Sequence, residues 1–386
     1  MRLTSKLPDV GTTIFTVMSR RARELGALNV GQGFPDYELD PRLGELVAEA
    51  IRSGHNQYAP MEGLMLLREQ IALKLTACYG IEVDPESQVT VTVGGTEALY
   101  SAIQATVQAG DDVIVFDPAY DSYEPAVRLA GARCVRIPLA PPAFRYDWDR
   151  VRAALTGRTR LVIVNSPHNP ACTLLRAADL DALAALVRDR PIAVLSDEVY
   201  EHVVFDGHAH RSVLAHPELR ARSFAVFSFG KTLHATGWRV GYCVAPPEYT
   251  RELRKVHQFN TFSVVHPLQH AIAAYIEAQP ESWQGLSRFF QAKRDLLRTA
   301  LAGTAFELPP AEGTYFQLLG YERISDDDDV AFADRLIREA GLATIPLSPF
   351  YREAPRLRCV RLCTAKRDET LREAAARLAA FAGSRA

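Results

Sequence analysis

The segment SFGKTLHATGWRVGY carries the residues best suited to hold a reactive, charged ligand. Ser228 lies three residues before Lys231, and Arg239 follows that lysine by eight. A lysine amine can form a covalent bond with a carbonyl carbon, and arginine binds phosphate through charge-assisted hydrogen bonds. The small residues between them would let a ligand approach the backbone. An SxxK spacing alone is common by chance, so its meaning depends on what the fold places beside it.

Four other segments offer groups of the same kind. They are GGTEA at 94–98, DPAYDSY at 117–123, NSPHNP at 165–170 and SDEVY at 196–200. A glycine turn that opens a helix presents free N–H groups and a helix dipole to a phosphate. Each segment also has a simpler interpretation: a common glycine turn, core aromatic rings, asparagines in a turn, and an aspartate that caps a helix.

The elements around these segments alternate between short β-branched runs and longer helical patterns, which is typical of a parallel sheet with crossover helices. The predicted strands are Val89–Val93, Val113–Phe116, Leu161–Val164, Ile192–Leu195 and Phe224–Phe227, with predicted helices such as Ala98–Val107 and Ala177–Val187 between them. Ligands of open α/β sheets bind beyond the carboxyl ends of the strands. All five segments follow a predicted strand. That five such segments occur together by chance is much less expected than the chance occurrence of any single one.

The chain resembles the PLP-dependent (pyridoxal 5′-phosphate) aminotransferases of fold type I, class I/II, over essentially its whole length. Within that family it is most similar to the methionine aminotransferase group, which is itself similar to kynurenine aminotransferases and glutamine transaminase K. The segments that carry the resemblance are GQGFPD, NQY, FDPAYDSY, NSPHNP, SDEVYEH, SFGKT, TGWRVGYC, EGTYF and VRLC. In NSPHNP, Ser166 stands where the family usually has proline, and the Thr-Gly pair that usually follows is absent.

The resemblance implies a role for each of these groups in holding PLP. Lys231 would bind it as a Schiff base and shuttle the proton, Asp197 would keep its ring nitrogen protonated, and Tyr200 would donate to its phenolate oxygen. The implied cofactor-binding set is Gly95, Thr96, Glu97, Tyr120, Asn169, Asp197, Tyr200, Ser228, Lys231 and Arg239, with Tyr58 reaching the phosphate of a neighbouring subunit. A homodimer with shared active sites is therefore expected, and no metal.

The resemblance also implies where the substrate binds. Arg361 would clamp the α-carboxylate, assisted by Gly33 and Asn169. Phe15, with Phe259 and Phe262, would line an aromatic pocket that favours methionine, phenylalanine and similar neutral side chains over dicarboxylates, since an ionised carboxylate would lack a partner there. The expected reaction moves the amino group of methionine to a 2-oxo acid.

The expected fold is the aspartate aminotransferase-like α/β fold. Its large domain, with a mostly parallel central sheet flanked by helices, is predicted to span residues 41–285. Residues 1–40 and 286–386 are predicted to form a smaller α+β domain, because after Pro267 the pattern changes to long helices followed by strand-like pieces at 314–319 and 360–363.

Composition excludes some classes of function. A net charge of −2 without a basic stripe argues against a nucleic-acid binder. The six cysteines lack CxxC spacing, and no apolar run approaches the length of a membrane span, so a cytoplasmic protein is expected.

Three rival functions remain to be weighed. A PLP lyase acting on cysteine S-conjugates would release pyruvate and ammonia without an oxo-acid acceptor. A regulatory PLP-binding protein without catalysis is disfavoured because Lys231, Asp197 and Arg361 are all present. A nicotinamide oxidoreductase would need a glycine fingerprint that the chain lacks.

Overall fold

The computed structural model describes residues 3–383, and its strands are numbered here in chain order. The strands are β1 (Leu28–Asn29), β2 (Val89–Thr92), β3 (Asp112–Asp117), β4 (Arg133–Pro138), β5 (Thr159–Asn165), β6 (Ala193–Asp197), β7 (Ser223–Ser228), β8 (Gly241–Val244), β9 (Phe316–Gly320), β10 (Leu342–Ala343), β11 (Ile345–Pro346) and β12 (Cys359–Cys363). Their lengths follow the short apolar, β-branched runs of the sequence.

The main sheet has the order β2-β8-β7-β6-β5-β3-β4 within the described residues. Strands β3 to β7 pair in parallel, whereas β8 runs antiparallel to both β2 and β7. Since β2 and β7 are both antiparallel to β8, they point the same way. The carboxyl ends of β2, β3, β5, β6 and β7 therefore meet at one edge, as the sequence predicts.

The helices are likewise numbered in chain order. They are α1 (Ile14–Glu24), α2 (Pro41–Arg52), α3 (Met65–Tyr79), α4 (Gly94–Thr106), α5 (Tyr123–Leu129), α6 (Trp148–Ala154), α7 (Ala177–Val187), α8 (Pro217–Arg220), α9 (Phe229–Thr232), α10 (Pro247–Asn260), α11 (His266–Ala278), α12 (Leu286–Ala300), α13 (Asp329–Arg335) and α14 (Asp368–Gly383). The main sheet is buried between two apolar clusters, one on each face, which explains why its strands read as continuous apolar runs.

A smaller antiparallel sheet, β11-β12-β9, lies next to the short parallel pair β1 and β10. Its own buried cluster joins Met18 and Val30 of the N-terminal segment to Leu297, Phe332 and Leu378. The N-terminal segment thus packs with the C-terminal part of the chain. The domain boundaries at residues 41 and 285 stay a prediction, and residues 1–2 and 384–386 of the predicted small domain lie outside the described residues.

Two further predictions can be compared with the structure. No disulfide joins the cysteines of residues 3–383, all of which are free thiols. Across the same residues, no helix combines the length and the apolar character that crossing a bilayer would require.

Candidate active site

A cavity of about 420 Å³ opens at the edge where the parallel strands end. The predicted site residues that line it are Phe15, Gly33, Gly95, Thr96, Tyr120, Asn169, Asp197, Tyr200, Ser228, Lys231, Arg239 and Arg361. They come from the N-terminal segment, from the main sheet and from β12 of the smaller sheet. Residues that are more than 300 positions apart in the sequence therefore share one cavity.

Lys231 lies on α9, the single helical turn that follows β7. Its Nζ donates a hydrogen bond of 2.8 Å to the hydroxyl of Tyr315. Burial lowers the pKa of Lys231 to about 8; Cys363 and Asp197 oppose this shift, and Arg239 adds to it. An amine with this pKa is partly neutral near pH 8, and the neutral form is the one that attacks a carbonyl carbon.

Tyr315 connects the lysine to the N-terminal segment, a role that the sequence does not reveal. Its hydroxyl accepts from Lys231 and donates to the carbonyl oxygen of Gly33 at 2.7 Å. Gly33 must be small here, since a Cβ atom would lie 2.7 Å from Cζ of Phe316. The EGTYF segment was one signal of the family, but nothing in its spacing assigns this contact to Tyr315.

Asp197 ends β6 and is buried. Its carboxylate accepts from the hydroxyl of Tyr123 at 2.7 Å and from the backbone N–H of Val199 at 3.3 Å. Burial raises the pKa of Asp197 to about 6, although the Tyr123 and Val199 hydrogen bonds and the charge of Lys231 favour the ionised form. A buried carboxylate of this kind is stabilised by a cationic partner.

Two asparagines organise the loop after β5. The Asn165 side chain donates to the carbonyl oxygen of Asp197 at 2.8 Å and accepts from the backbone N–H of Asn169 at 2.8 Å. Asn169 Oδ1 accepts from Arg361 at 2.5 Å. With that oxygen engaged, the amide N–H₂ of Asn169 is left to donate to a ligand.

Arg361 is almost fully buried, 1% exposed, among aromatic rings. Its guanidinium carbon lies 3.8 Å from the ring centre of Phe316, 5.3 Å from that of Phe15 and 5.6 Å from that of Phe350. Burial lowers its pKa. Within residues 3–383, its Nε has no hydrogen-bond partner. A buried guanidinium with a free donor is suited to bind a carboxylate.

Around Arg239, the cavity combines groups that could hold a phosphate. Helix α4 begins at Gly94, and a Cβ atom on Gly94 would lie only 2.7 Å from a terminal nitrogen of Arg239. Arg239 itself adopts a left-handed backbone conformation, with φ of 55°. The Thr96 hydroxyl lies 3.3 Å from that of Tyr120. The arginine, two hydroxyls and a helix N-terminus therefore face one small volume.

Glu97, predicted among the cofactor contacts, points away from the cavity. Its carboxylate accepts from the backbone N–H of Val93 at 3.2 Å and from the hydroxyl of Ser101 at 2.5 Å, and it lies 3.1 Å from His257. Glu97 is the fourth residue of α4, and its carboxylate reaches back to the N–H of Val93, the residue that caps the helix, as the acidic residue of a capping box does. The Glu97 side chain is thus occupied within α4 and by His257 and does not line the cavity, and its contact with the cofactor stays a prediction.

Three other predicted residues lie outside the cavity lining of the single chain. Tyr58 and Phe259 are 81% and 85% exposed, and Phe262 packs its ring against Tyr58 with centroids 5.3 Å apart. Within the single chain, Phe15, Phe316, Tyr120 and Tyr200 supply the aromatic rings of the cavity, and a place for Phe259 and Phe262 at the substrate stays a prediction. Phe15 is the residue of the predicted aromatic set that lines the cavity of the single chain.

Comparison with known proteins shows what the chain is similar to. The family model described as aminotransferase class I and II matches residues 26–378. Methionine aminotransferase of Escherichia coli (strain K12) is 51% identical over 97% of this chain and 97% of its own length. Kynurenine–oxoglutarate transaminase 1 of Mus musculus is 30% identical over 98% of this chain and 97% of its own.

Among solved structures, one from Escherichia coli is described as having a methionine aminotransferase function. It superposes with a TM-score of 0.97 at 50% identity, covering 98% of this chain and 100% of that one.

Proposed function

The chain belongs to the class I and II aminotransferases and has their fold, and we propose that it transfers the amino group of methionine, or of a similar neutral amino acid, to a 2-oxo acid with PLP as cofactor. The observation that carries the proposal is the pairing, in one cavity, of a half-buried lysine of lowered pKa with a buried arginine whose Nε is free. The first suits a cofactor aldehyde and the second suits an α-carboxylate. The 51% identity to a methionine aminotransferase supports the choice of donor.

The residues around the cavity fit PLP. Gly94 leaves the space that Arg239 needs beside the start of α4, so a phosphate can be bound by N–H groups and a guanidinium together. Asp197, buried and with Tyr123 as partner, is suited to a protonated ring nitrogen. Asn169 and Tyr200 are suited to the phenolate oxygen, and Tyr120 to the face of the ring.

The proposed mechanism divides the work between these side chains. PLP, when bound, supplies a ring that accepts the electron pair left when the Cα–H bond of the amino acid breaks. As a free amine, Lys231 would move the proton between Cα of the amino acid and the cofactor's aldehyde carbon. Asp197 would keep the ring nitrogen protonated. Arg361 fixes the α-carboxylate so that the Cα–H bond points towards the lysine.

The charges of the lining favour a neutral donor. Among the described residues, Lys231, Arg239 and Arg361 are the cations that line the cavity, and the mechanism uses all three. A second carboxylate on the substrate would have none of them as partner. It would also meet Asp121, a carboxylate in the same lining whose pKa is raised by burial. Burying an unpaired charge is costly, so aspartate and glutamate are poor donors in this proposal.

We also propose a homodimer that acts in the cytoplasm. Tyr58 and Phe262 form an exposed aromatic pair, which a second copy would cover while bringing Tyr58 to the phosphate of the partner's site. The cytoplasmic location is supported by the free thiols of the described residues.

Donor profiling tests the proposed function. The value of kcat/KM is measured for methionine, phenylalanine, kynurenine, aspartate and a cysteine S-conjugate with a common 2-oxo acid acceptor. We expect methionine and phenylalanine to exceed aspartate by at least about tenfold, since one unpaired charge costs more than about 1.4 kcal/mol. A preference for aspartate would refute the neutral pocket. Release of pyruvate and ammonia from the S-conjugate without an acceptor, faster than transamination, would instead favour the lyase.

A further inference from the structure

Three histidines form a cluster outside the active-site cavity. His55 follows the end of α2, and His266 and His270 lie on α11, which packs against α2. Each offers a ring nitrogen, and these nitrogens all lie within 4.8 Å of one another. The rings of His55 and His270 stack with centroids 3.6 Å apart, and the His266 ring is 5.1 Å from His270 and 5.4 Å from His55.

The backbone places two of these rings together by necessity. Residues four apart on a helix lie on the same face, one turn above the other, so His266 and His270 are neighbours on α11. This spacing is the one with which two histidines of a helix bind a single metal ion. His55, in the turn after α2, supplies a third nitrogen at the same place.

One hydrogen bond prepares His266 to act as a ligand. Its Nδ1 lies 2.9 Å from the carbonyl oxygen of Gln57, and because a carbonyl only accepts, Nδ1 carries the hydrogen. The neutral ring then keeps its lone pair on Nε2. Metal-binding histidines are usually oriented in this way, with the other ring nitrogen donating to a backbone carbonyl or a carboxylate.

Room for a fourth ligand lies beside the cluster. A cavity of about 200 Å³ next to His55 and His270 is lined by Glu49 and Ser53, which leaves room for an oxygen ligand or a water as the fourth ligand.

From this arrangement we propose that His55, His266 and His270 bind a divalent zinc ion. Zinc prefers nitrogen ligands in tetrahedral geometry, with Zn–N distances that put ligand nitrogens about 3.4 Å apart. All three residues are only half-buried, so rotation of the side chains can bring the nitrogens, now within 4.8 Å of one another, to that spacing. The ion would join the turn after α2 to α11 and hold the segment 55–58, which carries both Gln57 and Tyr58.

Titration of the metal-free holoenzyme with Zn²⁺ tests the site, using calorimetry, with the visible absorption of Co²⁺ as a second readout. We expect one ion per chain with a dissociation constant on the order of 1 μM, weaker than preformed structural sites because the rings must first rotate. His266→Ala and His270→Gln should each weaken binding at least about tenfold. His208→Ala, which removes an exposed histidine outside the cluster, should leave binding unchanged.

Two results would overturn the proposal. One is the absence of stoichiometric binding in the unaltered chain up to millimolar Zn²⁺. The other is equally tight binding to the unaltered chain and to a His266→Ala/His270→Gln double variant that unfolds at the same temperature, since the ion would then lie elsewhere, for example on free thiols. Neither result bears on the aminotransferase activity, which the donor profile tests separately.

Discussion

At the scale of single residues, the hydrogen bond from Tyr123 favours the ionised form of Asp197, the carboxylate that we propose faces the cofactor ring. Replacing Tyr123 by Phe removes a bond that favours the ionised form, so the pKa of Asp197 should rise above its present value of about 6. A hydrogen bond of this type contributes about 0.5–1.5 kcal/mol, which corresponds to a shift of up to about one pH unit.

The acid limb of the kcat/KM profile should therefore move to higher pH in Tyr123→Phe, while the rate at alkaline pH changes little. Tyr249→Phe is a matched control, because that ring stacks on Phe224 away from the cavity. Identical acid limbs in the Tyr123 variant and the unaltered chain would show that Asp197 does not depend on this bond.

Asp121 is the residue on which donor selectivity can be altered most simply. It lines the cavity together with Arg361, and its negative charge opposes a substrate side chain that is itself a carboxylate. We expect Asp121→Asn to raise kcat/KM for aspartate relative to methionine by about threefold to thirtyfold, a range that corresponds to about 0.7–2 kcal/mol of removed repulsion. Parallel assays with both donors measure this ratio. An unchanged ratio would exclude Asp121 from selectivity.

Residue types and spacing predicted much of the site, but not its internal hydrogen bonds. Lys231 and Arg239 could be found because they share one segment with Ser228. Tyr315 could not be placed against Lys231, since that contact depends on how β9 meets α9, which no local pattern encodes. The orientation of Glu97 was missed because its position in the first turn of a helix suits a backbone contact as well as a ligand.

At the scale of elements, the start of α4 and the loop before β8 must come very close. Gly94 has φ of +71°, and a Cβ atom there would lie 2.7 Å from Arg239. Gly94→Ala should displace the arginine and strain the backbone by about 1–2 kcal/mol, so PLP should bind about tenfold more weakly or worse. Gly157→Ala, where no atom lies within 4 Å, is the matched control.

The dissociation constant of PLP, measured by absorbance after removal and re-addition of the cofactor, decides this prediction. Equal affinity in the Gly94 and Gly157 variants would contradict the proposed phosphate site.

Elements with a strong apolar pattern were predicted well, whereas elements that depend on tertiary contacts were not. The five predicted strands all occur, and the predicted helix Ala177–Val187 has the same bounds in the structure. The strand β4 (RCVRIP) was missed because it lies at the sheet edge, where two arginines interrupt the apolar run. The strand β8 is short and directly follows the segment that contains Lys231 and Arg239. Nothing in the local sequence indicates that it inserts antiparallel between β2 and β7.

At the scale of the whole molecule, one buried ion pair supports the main core. Lys74 on α3 donates to Glu201 at 2.6 Å and to Tyr242 at 3.1 Å, and Lys74 and Glu201 are almost fully buried. Lys74→Met would leave Glu201 as an unpaired buried charge, and it should lower the free energy of unfolding by about 3–5 kcal/mol. Denaturant unfolding measures the change, and the double variant Lys74→Met/Glu201→Gln should recover part of the loss.

The same pair predicts how stability depends on pH. Burial alone would raise the pKa of Glu201, but Lys74, His202 and Tyr79 bring it down to about 2. Because the folded pKa is below the unfolded value of about 4.3, this stabilisation is present above that value and is lost as the pH falls towards 2. Between these pH values, the Lys74→Met variant should therefore lose less stability than the unaltered chain does. The same pH dependence in both proteins would contradict the role of Lys74 in lowering the pKa of Glu201.

The proposed dimer predicts complementation between two inactive chains. In a hybrid of Lys231→Ala with Tyr58→Ala, one site would contain both altered residues and the other site neither. Refolding an equal mixture should therefore restore activity to about a quarter of the unaltered level, since about half of the dimers are hybrids with one intact site each. Each variant refolded alone is the control. A mixture no more active than the average of its parents would argue against shared sites.

The central claim is that Lys231 and Arg361 together carry out transamination of a neutral amino acid. It is tested most directly by mixing the PLP-loaded chain with methionine in the absence of any oxo acid, and following the cofactor's absorbance. We predict conversion of the cofactor to its amine form with one equivalent of 4-methylthio-2-oxobutanoate per chain, faster than with aspartate, and no conversion in Lys231→Ala. No spectral change with any amino acid, or faster conversion with aspartate, would contradict the account.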